Sequence, residues 1–194
     1  MKVQNEILYH ITRNNKWKTG DTIISGDQEN PLWTLCKSYP AQIIVGEQSV
    51  PIFEMFDRPH SFNVTQDTIN SLYQLLKNIS TGFAFYVREQ IFEEVRKELY
   101  PQLPSRQKCL WLSDKNNLSF WKTMDINEHQ YLLTLNLYGD IFCADAYWLK
   151  ADTFSSIEYA ERAKHYWLGE LSNKPKIEYL FYGQAIIEDI VTLQ

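Results

Sequence analysis

No stretch of the chain approaches the roughly eighteen consecutive apolar residues of a membrane span. The opening MKVQNEILYHIT also lacks the apolar run and small-residue cleavage site of a secretory leader, so a cytoplasmic location is the expectation. A leaderless secretion route would leave no mark to read. Cysteine is scarce: Cys36, Cys109 and Cys143 are widely spaced, with no CxxC and no adjacent histidine pair. That pattern points to buried thiols in a reducing compartment rather than to disulfides or zinc. The glycine-rich GxGxxG and GxxxxGK(S/T) loops are missing, which argues against Rossmann and P-loop nucleotide sites, and HExxH and GxSxG are missing too. No metal site is therefore expected. Nor is there a basic excess, since the formal net charge is -5, and broad electrostatic binding to nucleic acid is disfavoured. Histidine is rare as well, with four in 194 residues. One of them, His10, sits inside the short apolar stretch LYHIT and so calls for a reason.

What the chain does have is core material. At 44% hydrophobic residues it can bury a substantial interior and most naturally forms one domain over 1–194. Six Trp and twelve Tyr make that interior aromatic, with some rings free to serve as stacking platforms. Residues 6–12 alternate as a strand, and KTGDTIISGD follows with two glycine turns. Residues 26–100 read as an insertion, irregular at first around four prolines and then helical. Ile69, Leu72, Tyr73, Leu76 and Ile79 predict one helix with Thr65 as N-cap. Ala84, Val87, Ile91, Val95 and Leu99 predict a second helix whose acidic residues face solvent and which stops before Pro101. Beyond it, KCLWLSD predicts a strand and NNLSFWKTM a short helix. QYLLTLNLYGDIFCADAYWL predicts a hairpin turning at YGD. A capping box from Ser155 to Glu158 opens another helix, and KIEYLFYGQAIIEDIVTL predicts two strands around Gly183. The class is α+β.

Three polar residues sit awkwardly in these apolar strands. Alternation places Glu178 on the same strand face as Leu180 and Tyr182, where a carboxylate is costly unless paired; the alternative is a solvated strand edge. His10 has the same choice between a satisfied core imidazole and a functional one. Ser113, at the end of the CLWL strand, has the ordinary alternative of capping a turn. Asp140 and Asp145 are explained as a turn residue and a strand-end residue, with no paired-carboxylate chemistry.

In chain order these residues resemble the three-motif plan of the ADP-ribosyltransferase superfamily, and more narrowly its His-Tyr-Glu branch. The opening pattern is Tyr9, His10, Ile11, Thr12 and Trp17. The closing pattern is Ala163, Tyr166, Trp167 and Gly169, followed by Glu178, Tyr179, Leu180, Gly183 and Ile186. The resemblance covers residues 6–25 and about 104–191. In the middle motif the family's tyrosine is absent, and Phe120 or Trp121 stands in its place.

The resemblance implies a split β-sheet core with a helical insertion, and NAD+ as co-substrate in the cleft. Breaking the bond between nicotinamide and ribose puts positive charge on the sugar, as in glycoside hydrolysis, and a carboxylate beside it stabilises that developing charge. The resemblance gives this role to Glu178, with His10 and Thr12 at a ribose. Ser113 would sit at the nicotinamide ribose or against Glu178, and Trp121 or Phe120 would stack on the nicotinamide ring. Arg13 and Arg106 are the candidates for the phosphates, where a guanidinium fork can grip two oxygens. The activity implied is mono-ADP-ribosyl transfer to an unidentified acceptor, with protein ahead of small molecule or nucleic acid. The competing expectation is a weak or inactive module of the same fold that binds a nucleotide or a protein partner.

Overall fold

Two long strands carry the molecule in the computed structural model, which describes residues 1–38, 42–45, 48–51, 65–123, 130–151 and 154–193. β6 (Gln130–Asp145) and β7 (Ile177–Leu193) pair antiparallel along nearly their whole lengths. β1 (Lys2–Thr12) pairs the other edge of β6. The outer edge of β7 is shared end to end by β2 (Thr22–Ser25), which meets residues 183–186, and β5 (Leu110–Leu112), which meets 179–181. The result is a five-stranded antiparallel sheet. It curls until its edges meet, because Ser113, just past β5, bridges Tyr9 of β1 through two backbone hydrogen bonds of 2.9 and 2.8 Å. The glycine turns expected around the second strand are present, with Gly20 and Gly26 flanking β2 at positive φ.

The predicted hairpin at YGD and the predicted break at Gly183 are both corrected. β6 and β7 each run straight through, and Gly139 lies directly opposite Gly183. A Cβ added at Gly139 would stand 2.1 Å from the Tyr182 carbonyl oxygen, and one at Gly183 would stand 2.4 Å from that of Tyr138. These glycines serve a close approach of two backbones, which in a single sequence looks the same as a turn signal.

The insertion is also more regular than expected. It holds α1 (Pro31–Ser38), a small ladder of β3 (Gln42–Val45) with β4 (Gln48–Pro51), and α2 (Gln66–Leu99). α2 is one helix of 34 residues where two were predicted. Gly82 lies within it, and a single interior glycine costs only about 1 kcal/mol against alanine, too little to break a helix anchored by packing. The C-terminal half of α2 buries Phe92 and Val95, while Ile69, Tyr73 and Leu76 in the other half are exposed. The acidic residues do not all face water: Glu94 and Glu98 do, but Glu89 and Glu93 are buried. Glu93 pairs with Arg96 three residues on and accepts from the Ser105 hydroxyl, and Glu89 meets Arg106, so two of these three partners lie outside the helix, where its periodicity carries no sign of them.

Two cores result, one on each face of the sheet. One gathers Leu8, Leu112, the alternating Leu133, Leu135 and Leu137 of β6, and Phe181. The other packs α2 and α4 (Ser156–Trp167) against Leu180 and Ala144, with Tyr159, Tyr166 and Trp167 at its centre. α4 opens with the expected capping box, in which the Ser155 hydroxyl accepts from Glu158 N–H and the Glu158 carboxylate accepts from Ser155 N–H. α3 (Leu118–Lys122) and a 3-10 turn (Ala146–Leu149) complete the set. Among the described residues, no helix is long and apolar enough to cross a membrane.

Candidate functional site

A cavity of about 900 Å³ opens beside the seam where β1 meets Ser113, near the upper end of the range of ligand pockets, roughly 300–1,000 Å³. His10, Thr12 and Arg13 line it from the end of β1, and Ser113, Phe120 and Trp121 from β5 and α3. Arg106 and Glu178 complete the set, so all eight residues singled out in the sequence reach one hollow. The sheet register explains part of this convergence. Leu112 pairs Tyr179 at the end of the β5–β7 ladder, so Ser113, the residue after one, and Glu178, the residue before the other, come to the same end of the sheet.

Glu178 is buried and paired rather than solvated. Its Oε1 accepts from the Arg106 guanidinium Nη1 and from the Tyr166 hydroxyl at 2.5 Å. Its Oε2 accepts nothing among the described residues. Arg106 is itself divided between two carboxylates, since its Nε donates to Glu89 at 3.1 Å and its Nη1 also reaches the Tyr166 hydroxyl at 2.7 Å. Glu89 in turn accepts from Arg88 at 2.6 Å, giving a chain of alternating charges, Arg88, Glu89, Arg106 and Glu178, inside the protein. Burial opposes charge on Glu89, but Arg106 and Arg88 outweigh it and hold its carboxyl below the usual range. Burial likewise opposes charge on Arg106, yet Glu178 and Glu89 drive its ionisation well above the ordinary arginine value. Burial also pushes the Tyr166 phenol well up, against the pull of Arg106, so it stays a donor to Glu178.

The entry to β7 is fixed just before Glu178. The buried Asp145 carboxylate accepts from the backbone N–H of Lys176, Ser172 and Tyr147, each within 2.9 Å. Trp121 Nε1 donates to the Ile177 carbonyl at 3.0 Å, tying α3 to the same point. Asp145 is thus the strand-end residue expected, while Asp140 lies within β6 rather than in a turn.

The His10 tautomer is set by a carbonyl. Nδ1 lies 2.9 Å from the Trp111 oxygen, which can only accept, so Nδ1 carries the proton and Nε2 presents a lone pair. Burial is the larger influence and lowers the imidazole pKa against the opposing effect of that bond. A folded-state pKa below the ordinary 6.5 means that the neutral ring is what folding favours. Its contribution is intact above pH 6.5 and is lost as acid charges the ring. On lowering pH from 7 to 5, His10→Gln is expected to lose less thermal stability than the parent, as read from paired melting curves.

Other predicted residues differ from expectation in detail. The Ser113 hydroxyl donates to the Asp114 carbonyl at 3.1 Å rather than to Glu178. Phe120 has one ring face covered by the Lys176 ammonium, 4.5 Å from its centroid, and packs edge-on to Trp121. Sequence reasoning gave no role to Glu89, Lys176 or Arg162. The last of these lies on α4 and also lines the cavity. Tyr166 appeared in the motif, but nothing there linked it to Glu178. Among the described residues that line the cavity, cationic side chains far outnumber Glu178, the single carboxylate, although the chain as a whole is acidic. No group of His, Cys, Asp and Glu among the described residues has the arrangement of a metal site.

Fold and site together define an α+β protein with a cation-lined cavity at the seam of a curled antiparallel sheet, built around one buried, arginine-held glutamate. The chain belongs to the family described as "Protein of unknown function (DUF2441)", whose model matches residues 8–192 and so spans every residue assigned to the cavity above. A comparison with curated proteins finds no match.

Proposed function

We propose that this protein is a mono-ADP-ribosyltransferase of the His-Tyr-Glu type, with NAD+ as co-substrate and the cavity as its binding cleft. The observation that carries the reading is convergence: His10, Ser113, Trp121 and Glu178 come from four separate parts of the chain and line one hollow. The curled sheet is read here as the split core of that superfamily, with the cleft at its seam. Cationic walls in an acidic protein suit a ligand that carries a diphosphate.

In this reading His10 Nε2 accepts from a ribose hydroxyl, and the exposed face of Trp121 packs on the nicotinamide. Glu178 Oε2 accepts from the hydroxyl beside the reacting carbon of the other ribose, while Arg106 and Tyr166 keep Oε1 fixed. As the carbon–nitrogen bond breaks, its electron pair leaves with neutral nicotinamide, and the fixed carboxylate stabilises the cationic sugar without having to reorganise. The acceptor then bonds to that carbon and gives up its proton to solvent, so that NAD+ and acceptor become nicotinamide, the ADP-ribosylated acceptor and one proton. Arg106 becomes a positioning residue for Glu178 instead of a phosphate ligand, because its donors are already committed to carboxylates and a phenol.

That same commitment favours a second reading, a binding module whose glutamate is held for structure. Calorimetry with NAD+ and ADP-ribose, run beside a chromatographic assay of nicotinamide release, separates the two. Binding together with release of nicotinamide is expected. Binding with no release would leave the module, and no binding of either nucleotide would end both readings.

A further inference from the structure

We propose that Arg162 is the seat for the diphosphate of the ligand, a role that no motif in the sequence assigns to it. This inference rests on the nucleotide reading above for the identity of the ligand, but on separate residues for its geometry. Arg162 lies on α4 and lines the cavity, as does Phe154 beside it. Two carbonyls of the 3-10 turn hold its guanidinium: Nε donates to Trp148 O at 2.9 Å and Nη2 to Tyr147 O at 2.7 Å. Three ring faces surround it, those of Phe154, Tyr147 and Trp148, with centroids at 4.9, 5.6 and 5.7 Å. Nη1 meets no acceptor among the described residues. Glu158, one turn earlier on α4, feels the Arg162 charge but makes no hydrogen bond to it, and its Oε2 is engaged by Ser155 in the capping box.

A cation fixed by neutral carbonyls and aromatic faces keeps its charge for an incoming anion, in contrast to Arg106, whose charge is met by Glu89 and Glu178. Its position fits as well. Arg162 and Tyr166 are four residues apart on α4, one helical turn or about 5.4 Å along the axis, and so share a face. Tyr166 holds Glu178, the group assigned to the ribose, and Arg162 and Glu178 line the same cavity. Fixing the guanidinium beforehand removes the ordering cost that a loose surface arginine would incur on gripping a phosphate.

Calorimetric titration with inorganic pyrophosphate, ADP-ribose and NAD+ tests this on the full chain, comparing the parent with Arg162→Met and Arg162→Lys. Circular dichroism and melting curves serve as the fold control. Parent binding of pyrophosphate that weakens with salt is expected, with a loss of about tenfold or more in Arg162→Met for pyrophosphate and ADP-ribose alike. Arg162→Lys, which keeps the charge but not the fork, is expected to lie between the two and decides the matter if the methionine variant does not fold. Unchanged affinities in the folded variants, with NAD+ still bound, would overturn the seat while leaving the nucleotide reading in place. Arg162-dependent pyrophosphate binding without NAD+ binding would keep the seat and overturn the nucleotide reading. No binding of pyrophosphate, ADP-ribose or NAD+ to the parent would remove both.

Discussion

If the proposed transferase reading holds, replacing Glu178 with glutamine is expected to lower nicotinamide release by about 100- to 1,000-fold, the usual consequence of removing one group that stabilises transition-state charge, while ADP-ribose binding changes only a few-fold. The split between rate and binding follows from the charge. Glutamine retains an oxygen to accept from Arg106 and the Tyr166 hydroxyl, so the shape of the wall survives. What it loses is the negative charge beside a sugar that becomes positive only during the reaction, and an interaction present only then acts on kcat rather than on affinity. The same substitution leaves the buried chain one negative charge short, since Arg88 and Arg106 would then share Glu89 alone. Because the glutamine keeps both hydrogen bonds, the loss is expected to stay below the roughly 3–5 kcal/mol of removing a partner of a buried pair outright. Activity is therefore best compared well below the lowered melting point, with Glu178→Asp as the companion that keeps the charge but draws it back by one methylene. A folded glutamine variant that released nicotinamide at the parent rate would show that the carboxylate takes no part in the chemistry.

Local signals were legible in the sequence wherever one residue's own preference decided the outcome. The Ser155–Glu158 capping box, the glycine turns around β2, the short helix after Ser113 and the alternation of Ile177 to Tyr182 all appear as read. What misled was chemistry shared between distant segments. Gly139 resembled a turn because its true reason, the backbone of Tyr182, lies more than forty residues away in the chain. Glu89 and Glu93 resembled a wet helix face because Arg106, which meets the first, and Ser105, which meets the second, lie beyond the helix, even though Arg96 stands only three residues from Glu93 on the same helix. All eight residues singled out in the sequence line one cavity, but the contacts that each of them makes there could not be read from the chain. An arginine at a strand entrance shows only its charge in the sequence, whereas the structure pairs Arg106 with two buried carboxylates, Glu89 and Glu178. Arg162 was silent because it sits in an ordinary amphipathic helix, and the carbonyls that orient it belong to a 3-10 turn that no pattern marked.

Arg106→Met tests that division directly and is expected to be the most destabilising single change at the site, at about 3–5 kcal/mol. The methionine fills similar volume but leaves Glu178 with only the Tyr166 hydroxyl and Glu89 with only Arg88, so a buried carboxylate stands uncompensated. For a chain of this size, such a loss corresponds to a fall in melting temperature of roughly 6–20 °C. The pH dependence of that loss has a defined sign. The folded-state pKa of Glu89 lies below its ordinary value of 4.5, so its contribution is present above that value and disappears as pH falls through the folded-state pKa. With Arg106 gone, the largest of the charge partners that hold it down is removed, so the stability gap between Arg106→Met and the parent is expected to be widest above pH 4.5 and to narrow as pH falls through the folded-state pKa. The double variant Arg106→Met with Glu178→Gln removes one charge of each sign. It is expected to be more stable than Arg106→Met alone, because the uncompensated carboxylate leaves with its partner and the two effects do not add. Arg106→Lys restores the charge without the fork that spans Glu89 and Glu178, so it should recover part of the stability and little of the turnover. If the double variant proved less stable than the parent by the simple sum of the two single losses, Arg106 and Glu178 would be acting independently, and the guanidinium could not be what holds the glutamate in place.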